Sequence, residues 1–164
     1  MKSRNGHEKL KEERYKEARN RIESAISSGY YFEAIAICES ILNDRVCSFL
    51  KSINALDKST VDNLSFYQLI ILWKVAVNNP GSIWERCDNL ISRVDNWRKD
   101  RNKYIHGLVK FPNKKMEIVT TKEFIQGAQQ TASTGQELSL LVSDWRDRQI
   151  AIKTRAGKKT EHNK

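Results

Sequence analysis

The stretch of sequence that decides the fold runs from residue 30 to residue 53 and reads YYFEAIAICESILNDRVCSFLKSI. Its apolar residues recur at steps of three and four, which is the spacing of one face of an α-helix. The residues on this face are Ala34, Ile37, Cys38, Ile41, Val46, Phe49, Leu50 and Ile53. The pattern predicts a long amphipathic helix that buries one side, and the neighbouring segments are interpreted around it.

The flanking segments predict two more helices. Residues 8–27 interleave charges of both signs over a weak apolar pattern, as in an exposed helix supported by i, i+4 pairs. Residues 65–78 are apolar nearly all round, which indicates a helix that is buried among others or lies in a subunit contact. The sequence Asn78-Asn79-Pro80-Gly81 is expected to end that helix sharply.

The second half of the chain predicts two helices separated by a loop. Ser82 is expected to be the N-cap of the first, with Glu85 completing a capping box. Residues 108–120 are expected to form a loop with a short irregular or extended piece, and a last helix follows from about Thr121, with 133–135 as a candidate interruption. Together these elements predict an all-α, up-and-down bundle of about five helices.

Length and composition place the chain in a broad class. With 164 residues, of which 39% are hydrophobic and 30% charged, it is expected to form a single helical domain over residues 1–154, followed by a basic, disordered tail over 155–164. No apolar run approaches the roughly 18 residues of a membrane helix, and the N-terminus lacks the apolar stretch of a secretion signal. We therefore expect a cytoplasmic protein without a membrane partner.

The cysteines and histidines indicate no metal or disulfide framework. Cys38, Cys47 and Cys87 are odd in number, form no CxxC pair and lie within apolar helical stretches, so they are expected to be buried small hydrophobes. His106 has no second histidine near it in the sequence. No metal and no cofactor are therefore expected.

Positive charge is concentrated in three places. The net charge is +9; residues 1–21 contribute +4, residues 146–164 contribute +5, and the middle of the chain is neutral. Within that neutral middle, residues 97–115 alone carry +6. Such a distribution fits a polyanionic partner such as RNA, because phosphate contacts dominate nucleic-acid affinity. The alternative, in which the basic ends merely aid solubility, remains open.

The segment Asp100-Arg101-Asn102-Lys103-Tyr104-Ile105-His106-Gly107 is the best candidate for a site. It holds the sole histidine outside the termini, together with a guanidinium and an amide. These groups suit the binding of a phosphodiester and the transfer of a proton at neutral pH. Arg98 and Arg101 also continue the inward apolar stripe, where an arginine is costly unless it serves a site or a specific pair.

Helical geometry limits how this segment can work. Asn102 and His106 are four residues apart and share a face, whereas Arg101 lies about 140° round the helix from His106. The two could meet over one ligand if the helix ends or bends near Gly107, or if a second subunit contributes its copy. A structural interpretation also stands: His106 followed by Gly107 is typical of a helix C-terminus.

Arg101-Asn102 followed by His106-Gly107 resembles the R-x4-6-H motif of HEPN domains. The apolar helix, the break and the helix ending in the motif also resemble that family, and residues 30–50 are similar to its early helix. The resemblance extends over about residues 8–150. It implies a helical bundle that dimerises and brings two motifs together. Many such domains are metal-independent endoribonucleases of toxin–antitoxin, phage-exclusion and CRISPR-linked systems, while others only bind RNA or nucleotides.

The resemblance implies roles for individual residues. Arg101 would bind the scissile phosphate, His106 would act as acid or base, and Asn102 would orient the imidazole or contact RNA. The expected RNA-binding residues are the surrounding basic ones, Arg98, Lys99, Lys103, Lys110, Lys114 and Lys115. Expected partners are RNA, a second copy, and an antitoxin or regulatory protein. One antitoxin-linked subgroup has tyrosine two residues after the histidine; here that residue is Leu108, which disfavours its nucleotide-modification chemistry.

Three interpretations remain open from the sequence. The first is a homodimeric ribonuclease toxin or phage-defence effector that cuts RNA at a composite site. The second is a non-catalytic RNA-binding or adaptor module that uses the same basic surface. The third is a purely structural helical dimer in which His106 only terminates a helix.

Overall fold

A computed structural model describes residues 2–55, 57–107 and 120–161. Over these ranges the chain forms six helices and no strand, which confirms the predicted all-α helical bundle. The helices are α1 (Lys2–Ser27), α2 (Tyr31–Ser52), α3 (Lys58–Asp62), α4 (Phe66–Asn78), α5 (Asp88–Gly107) and α6 (Thr121–Glu161).

The helices with the clearest apolar period were predicted best. α2 and α4 lie within a residue of their predicted bounds at either end, and α1 ends at the predicted Ser27 but begins earlier, at Lys2. The short helix α3 was not among the predicted helices. It forms because the Asp57 side chain caps it by accepting a hydrogen bond from the backbone N–H of Ser59.

The predicted N-cap at Ser82 is wrong, because α5 begins only at Asp88. The Ser82 hydroxyl instead accepts a hydrogen bond of 3.2 Å from the backbone N–H of Trp84. Glu85 does not complete a box; its backbone N–H donates to the Gln149 side chain at 2.9 Å. A tertiary hydrogen bond therefore replaces the local cap, and α5 starts later than the predicted N-cap at Ser82.

Capping boxes occur at two other helix starts. Ser65 and Gln68 exchange side-chain and backbone hydrogen bonds at the start of α4. Thr120 and Glu123 do the same at the start of α6, with Thr120 N–H to Glu123 Oε2 at 2.8 Å and Glu123 N–H to Thr120 Oγ1 at 3.2 Å. Each box satisfies backbone donors that a helix start leaves without an intrahelical partner.

Helix α6 is longer than predicted. It passes through 133–135 without interruption and continues to Glu161, so residues 155–161 of the predicted disordered tail are helical. A glycine inside a helix costs only about 1 kcal/mol relative to alanine, and Gly135 is buried, so packing outweighs its propensity. The predicted loop or extended piece at 108–119 lies outside the described residues, as do residues 162–164.

The packing divides into two units. The first unit comprises residues 1–41 and 100–136, and the second comprises residues 42–99 and 137–164. Helices α2, α5 and α6 each contribute residues to both. The single domain over 1–154 stays a prediction.

The second unit is built around three aromatic side chains. The Trp145 ring lies 4.7 Å from Phe49 and 5.0 Å from Trp73, measured between ring centroids, and all three are almost fully buried. The Trp145 indole N–H donates to the backbone carbonyl of Glu85 at 3.2 Å. One residue of α6 thereby joins α2, α4 and the segment before α5.

A buried glutamine strengthens that junction. Gln149 is fully buried, accepts from the Glu85 N–H, and donates to the Trp145 carbonyl and a Glu85 carboxylate oxygen, each at 3.2 Å. All its polar atoms therefore have partners, as a buried amide requires. This arrangement explains why the segment around Glu85 is not helical.

The first unit buries small and branched side chains from α1, α2 and α6. They are Ile22, Ala25, Ala34, Ile35, Cys38, Ile41, Ala128 and Ala132. Burial raises the pKa of the Cys38 thiol to about 12, so it is a neutral core residue at physiological pH, as predicted. Cys47 and Cys87, in the second unit, are half-buried, and the three thiols are free. Within 2–55, 57–107 and 120–161, no helix has the length and apolar character needed to cross a membrane.

Candidate functional site

The candidate segment occupies the last two turns of α5. The helix continues through Gly107, so it does not end between Arg101 and His106. The side chains of those two residues therefore point about 140° apart around the helix axis. α5 ends at Gly107 and residues 108–119 lie outside the described residues, so both routes by which the sequence allowed them to share a ligand stay predictions.

Arg101 lies on the inward side of α5 and has a specific partner. Its Nη2 forms an ion pair with the carboxylate of Glu39 on α2, and the two side chains are only 21% and 22% exposed. Its Nη1 donates to the Asn102 side-chain oxygen at 2.7 Å. Its Nε is buried without a hydrogen-bond partner in the described part of the chain. The guanidinium is thus held in one orientation by two neighbours.

Glu39 was not predicted as part of the site. The signal was present, because Glu39 is an acid between Cys38 and Ile41 on the helix with the strongest apolar period. A half-buried carboxylate and an inward arginine each require an opposite charge, so either could have predicted the other. Sequence spacing alone did not connect them, since they are 62 residues apart.

Asn102 and His106 lie on a different side of α5 from the side on which Arg101 contacts Glu39. Asn102 is half-buried and accepts the bond from Arg101, whereas His106 is exposed in the last turn. The structure therefore brings Arg101 and Asn102 together, whereas no hydrogen bond joins Arg101 to His106 within the described part of the chain. An exposed imidazole at a helix end is accessible to a ligand, and it also interacts well with the last carbonyls when it is charged.

Gly107 has a packing role. It is the last residue of α5 and does not adopt the left-handed conformation of a glycine that follows a helix. A Cβ atom built at Gly107 would lie 3.2 Å from the Phe124 ring, so the missing side chain lets α6 approach closely. The end of α5, and with it His106, is positioned by this contact.

Tyr104 is a packing residue. Its ring lies 5.3 Å from that of Phe124, edge to face, and Phe124 in turn lies 6.2 Å from Phe32 on α2. The Tyr104 side chain also fills the space above Gly127 on α6, where a Cβ would lie 2.7 Å from the Tyr104 Cε1. These contacts secure the last turn of α5 within the first unit.

The replacement Gly127→Ala is expected to destabilise the protein because the added methyl overlaps the Tyr104 ring. Overpacking costs about 1–3 kcal/mol, partly offset by a gain of about 1 kcal/mol in helix propensity. Urea unfolding should therefore show a net loss in Gly127→Ala. The same replacement in a Tyr104→Ala background should be neutral or stabilising, and an equal loss in both backgrounds would contradict the overlap.

The other expected RNA-binding residues differ in their surroundings. Lys103 is exposed, with its Nζ 5.3 Å from the centroid of the Tyr104 ring. In the second unit, Arg98 and Lys99 both bind the carboxylate of Asp95, each at 2.9 Å. Lys110, Lys114 and Lys115 lie outside the described residues. The roles of all six in RNA binding stay predictions.

Asp95 is the counter-charge for two of those cations. Its burial would raise the pKa of the carboxyl, but hydrogen bonds from Lys99 and Arg98 outweigh that effect and leave the pKa below its ordinary value. The Arg98 guanidinium also lies 4.8 Å from the centroid of the Tyr67 ring. Arg98 is therefore held by a carboxylate and an aromatic face, so RNA would have to compete with both.

Over the described ranges, no three histidine, cysteine, aspartate or glutamate side chains are grouped so that they could hold a metal ion. No family model matches the chain, and no curated protein and no solved structure is significantly similar to it. Assignment to the HEPN family therefore stays a prediction from the motif and its helical setting.

Proposed function

We propose that this protein is a metal-independent endoribonuclease of the HEPN type that acts as a homodimer, as a toxin or phage-defence effector. One observation carries the proposal. The guanidinium of Arg101 is oriented by Glu39 and Asn102, and the exposed His106 follows on the same helix. This is the pair of groups that phosphodiester cleavage needs, within a sequence segment that carries +6.

The chemistry follows from the groups present. The 2′-hydroxyl of RNA attacks the adjacent phosphorus after giving its proton to an imidazole, and the 5′-oxygen leaves with a proton from a second acid. The arginine stabilises the charge that develops on the phosphorane-like transition state. The products carry a 2′,3′-cyclic phosphate and a 5′-hydroxyl, and DNA is inert because it lacks the nucleophile.

A second copy is part of the proposal because of where the two side chains point. Arg101 and His106 face apart on α5, and a second copy related by a two-fold axis would allow one phosphate to contact Arg101 of one chain and His106 of the other. Glu39 and Asn102 each engage one terminal nitrogen of the guanidinium. Because each of those nitrogens carries two N–H groups, donors remain for a phosphate. Glu39 would then orient Arg101 rather than exclude RNA.

RNA cleavage in EDTA tests this proposal. His106→Ala is expected to lower the rate about 10²- to 10⁴-fold, the usual contribution of a general acid or base. Arg101→Ala should also remove cleavage, and a DNA of the same sequence should stay intact. Lys122→Ala, which removes an exposed cation on α6, is the matched control and should cleave normally. Full cleavage by both site variants would reject the assignment.

A non-catalytic RNA-binding or adaptor function is the second candidate. The Arg101–Glu39 ion pair favours it, because such a pair gives Arg101 a structural reason to be there. This function predicts binding that weakens steeply with salt and survives His106→Ala. It also predicts a large loss on removal of residues 155–164; truncation further back would delete the buried Gln149 and disturb the core.

A further inference from the structure

Helix α4 is apolar on its outer side as well as its inner side. Phe66, Leu69, Ile70, Trp73 and Val77 form the buried face. Tyr67, Ile71 and Val75 follow each other at four-residue steps on the opposite side, with 51%, 43% and 62% of their surface exposed. Residues at this spacing are neighbours on a helix, so the three form one continuous row. We call this row the α4 stripe.

The α4 stripe differs from ordinary scattered exposure. Single apolar residues on a surface need no explanation, but a continuous apolar patch is typical of an interaction surface. Lys74 is the sole charged residue within α4, in a chain that is 30% charged. The sequence of α4 had already indicated either burial or a subunit contact, and the structure leaves this side uncovered by the described residues.

The edge of the stripe has the character of an interface rim. The Arg98 guanidinium covers the Tyr67 ring at 4.8 Å from its centroid, and Asp95 neutralises that guanidinium. Tyrosine and arginine are enriched in interfaces, where an apolar centre is bordered by paired polar groups. Asp95 also pairs with Lys99, so this one carboxylate offsets part of the positive charge at this end of the stripe.

We infer that the α4 stripe is the surface through which two copies of this chain associate. Two copies that each carry +9 repel one another, so a nearly uncharged face is the favourable place for contact. A row of side chains along one helix can also pack against itself. A two-fold axis perpendicular to the row places the same row of the second copy opposite the first. A strongly acidic partner would find no cationic row on α4 to pair with.

The area is of the right order for such a contact. About half the surface of three large side chains, at roughly 150–200 Å² each, amounts to roughly 250 Å² of exposed apolar surface. A standard interface takes about 800 Å² from each partner, of which roughly 60% is apolar. The stripe thus supplies about half of the apolar surface that a standard interface requires.

This inference deepens the proposed function and rests on it for one point only, the need for a second copy. The exposure and the charge of the α4 stripe do not depend on the roles of His106 and Arg101. The two proposals can therefore fail separately, and the experiment measures mass and cleavage on the same samples.

Sedimentation of the full chain gives the first result. The wild type should be dimeric at micromolar concentration, whereas Ile71→Glu should shift the dissociation constant at least tenfold or yield monomer. Val75→Glu provides a second variant on the stripe. Leu140→Glu is the matched control, because Leu140 on α6 is 42% exposed against 43% for Ile71. It should leave the dimer intact, and circular dichroism melting should show that each variant folds.

Charge rescue provides the decisive comparison. Ile71→Glu and Ile71→Lys should each be monomeric alone, and an equimolar mixture should regain mass as a heterodimer, because opposite charges then meet across the two-fold axis. A wild type that sediments as a monomer, or a dimer that survives both stripe variants, would overturn the inference. So would dissociation by Leu140→Glu with none by Ile71→Glu.

Cleavage assays on these samples separate the two proposals. Monomeric Ile71→Glu that no longer cuts RNA supports both. Monomeric Ile71→Glu that cuts normally supports the interface and rejects the composite active site. A wild type that dimerises through the stripe but never cuts RNA supports the interface and favours the binding function.

Discussion

Replacing Trp145 with alanine is expected to cause the largest loss of stability of any single change considered. The side chain is 1% exposed and packs against Phe49 and Trp73. Removing a buried aromatic ring costs about 3–5 kcal/mol through lost transfer energy and the cavity left behind. The backbone carbonyl of Glu85 would also lose its indole donor. A protein at the lower end of the ordinary stability range of about 5–15 kcal/mol would be close to unfolding.

Guanidinium denaturation followed by circular dichroism measures this effect. Trp145→Phe is the informative comparison, because phenylalanine keeps most of the ring packing and loses only part of the volume and the hydrogen bond to Glu85. Its expected loss is about 1–2 kcal/mol. A loss below about 1 kcal/mol in Trp145→Ala would mean that the aromatic cluster does not stabilise the second unit as described.

Replacing Glu39 with alanine is expected to have the second-largest effect. The change leaves the Arg101 guanidinium largely buried without its counter-charge, beside an Nε that already lacks a partner in the described residues. Removing one member of a fully buried pair costs about 3–5 kcal/mol; residual exposure near 20% lowers the expectation to about 2 kcal/mol. Glu39→Gln keeps an acceptor oxygen and should lose less.

A double-mutant cycle isolates the ion pair from the rest of the packing. Glu39→Ala together with Arg101→Ala should be less destabilised than the sum of the single variants, because removing both charges leaves neither unpaired. Strictly additive losses would show that the contact contributes nothing. If the protein cuts RNA, Glu39→Gln should lower the rate at a temperature where it remains folded, since Arg101 would lose its orientation.

The agreement between sequence and structure is closest where local periodicity is strongest. α2 and α4 were predicted almost to the residue, since their three- and four-residue apolar spacing reflects the helix repeat itself. The start of α5 was predicted wrongly. Ser82 and Glu85 have the sequence of a capping box, but Glu85 forms a tertiary hydrogen bond instead of the local one. The Glu85 N–H bonds to Gln149, which is 64 residues away, and no local pattern contains that information.

In the candidate site, too, local features could be predicted from the sequence and tertiary contacts could not. The sequence was sufficient to single out Arg101, Asn102 and His106 and to place them on helical faces, and the structure keeps that geometry by continuing α5 to Gly107. It was not sufficient to identify Glu39, because the partner of a buried charge depends on which helices pack together. Whether a second chain completes the site is a property of the assembly, which the sedimentation and charge-rescue experiments address.

The sequence by itself determined the all-helical class, the faces of the main helices and the uneven positive charge, because each depends on residue type and short-range spacing. The tertiary structure alone decided that Arg101 pairs with Glu39, that Gln149 and Trp145 hold the segment at Glu85, and that the described residues leave the outer side of α4 uncovered. These features depend on contacts between residues far apart in the chain, whose free energies appear only once the helices pack.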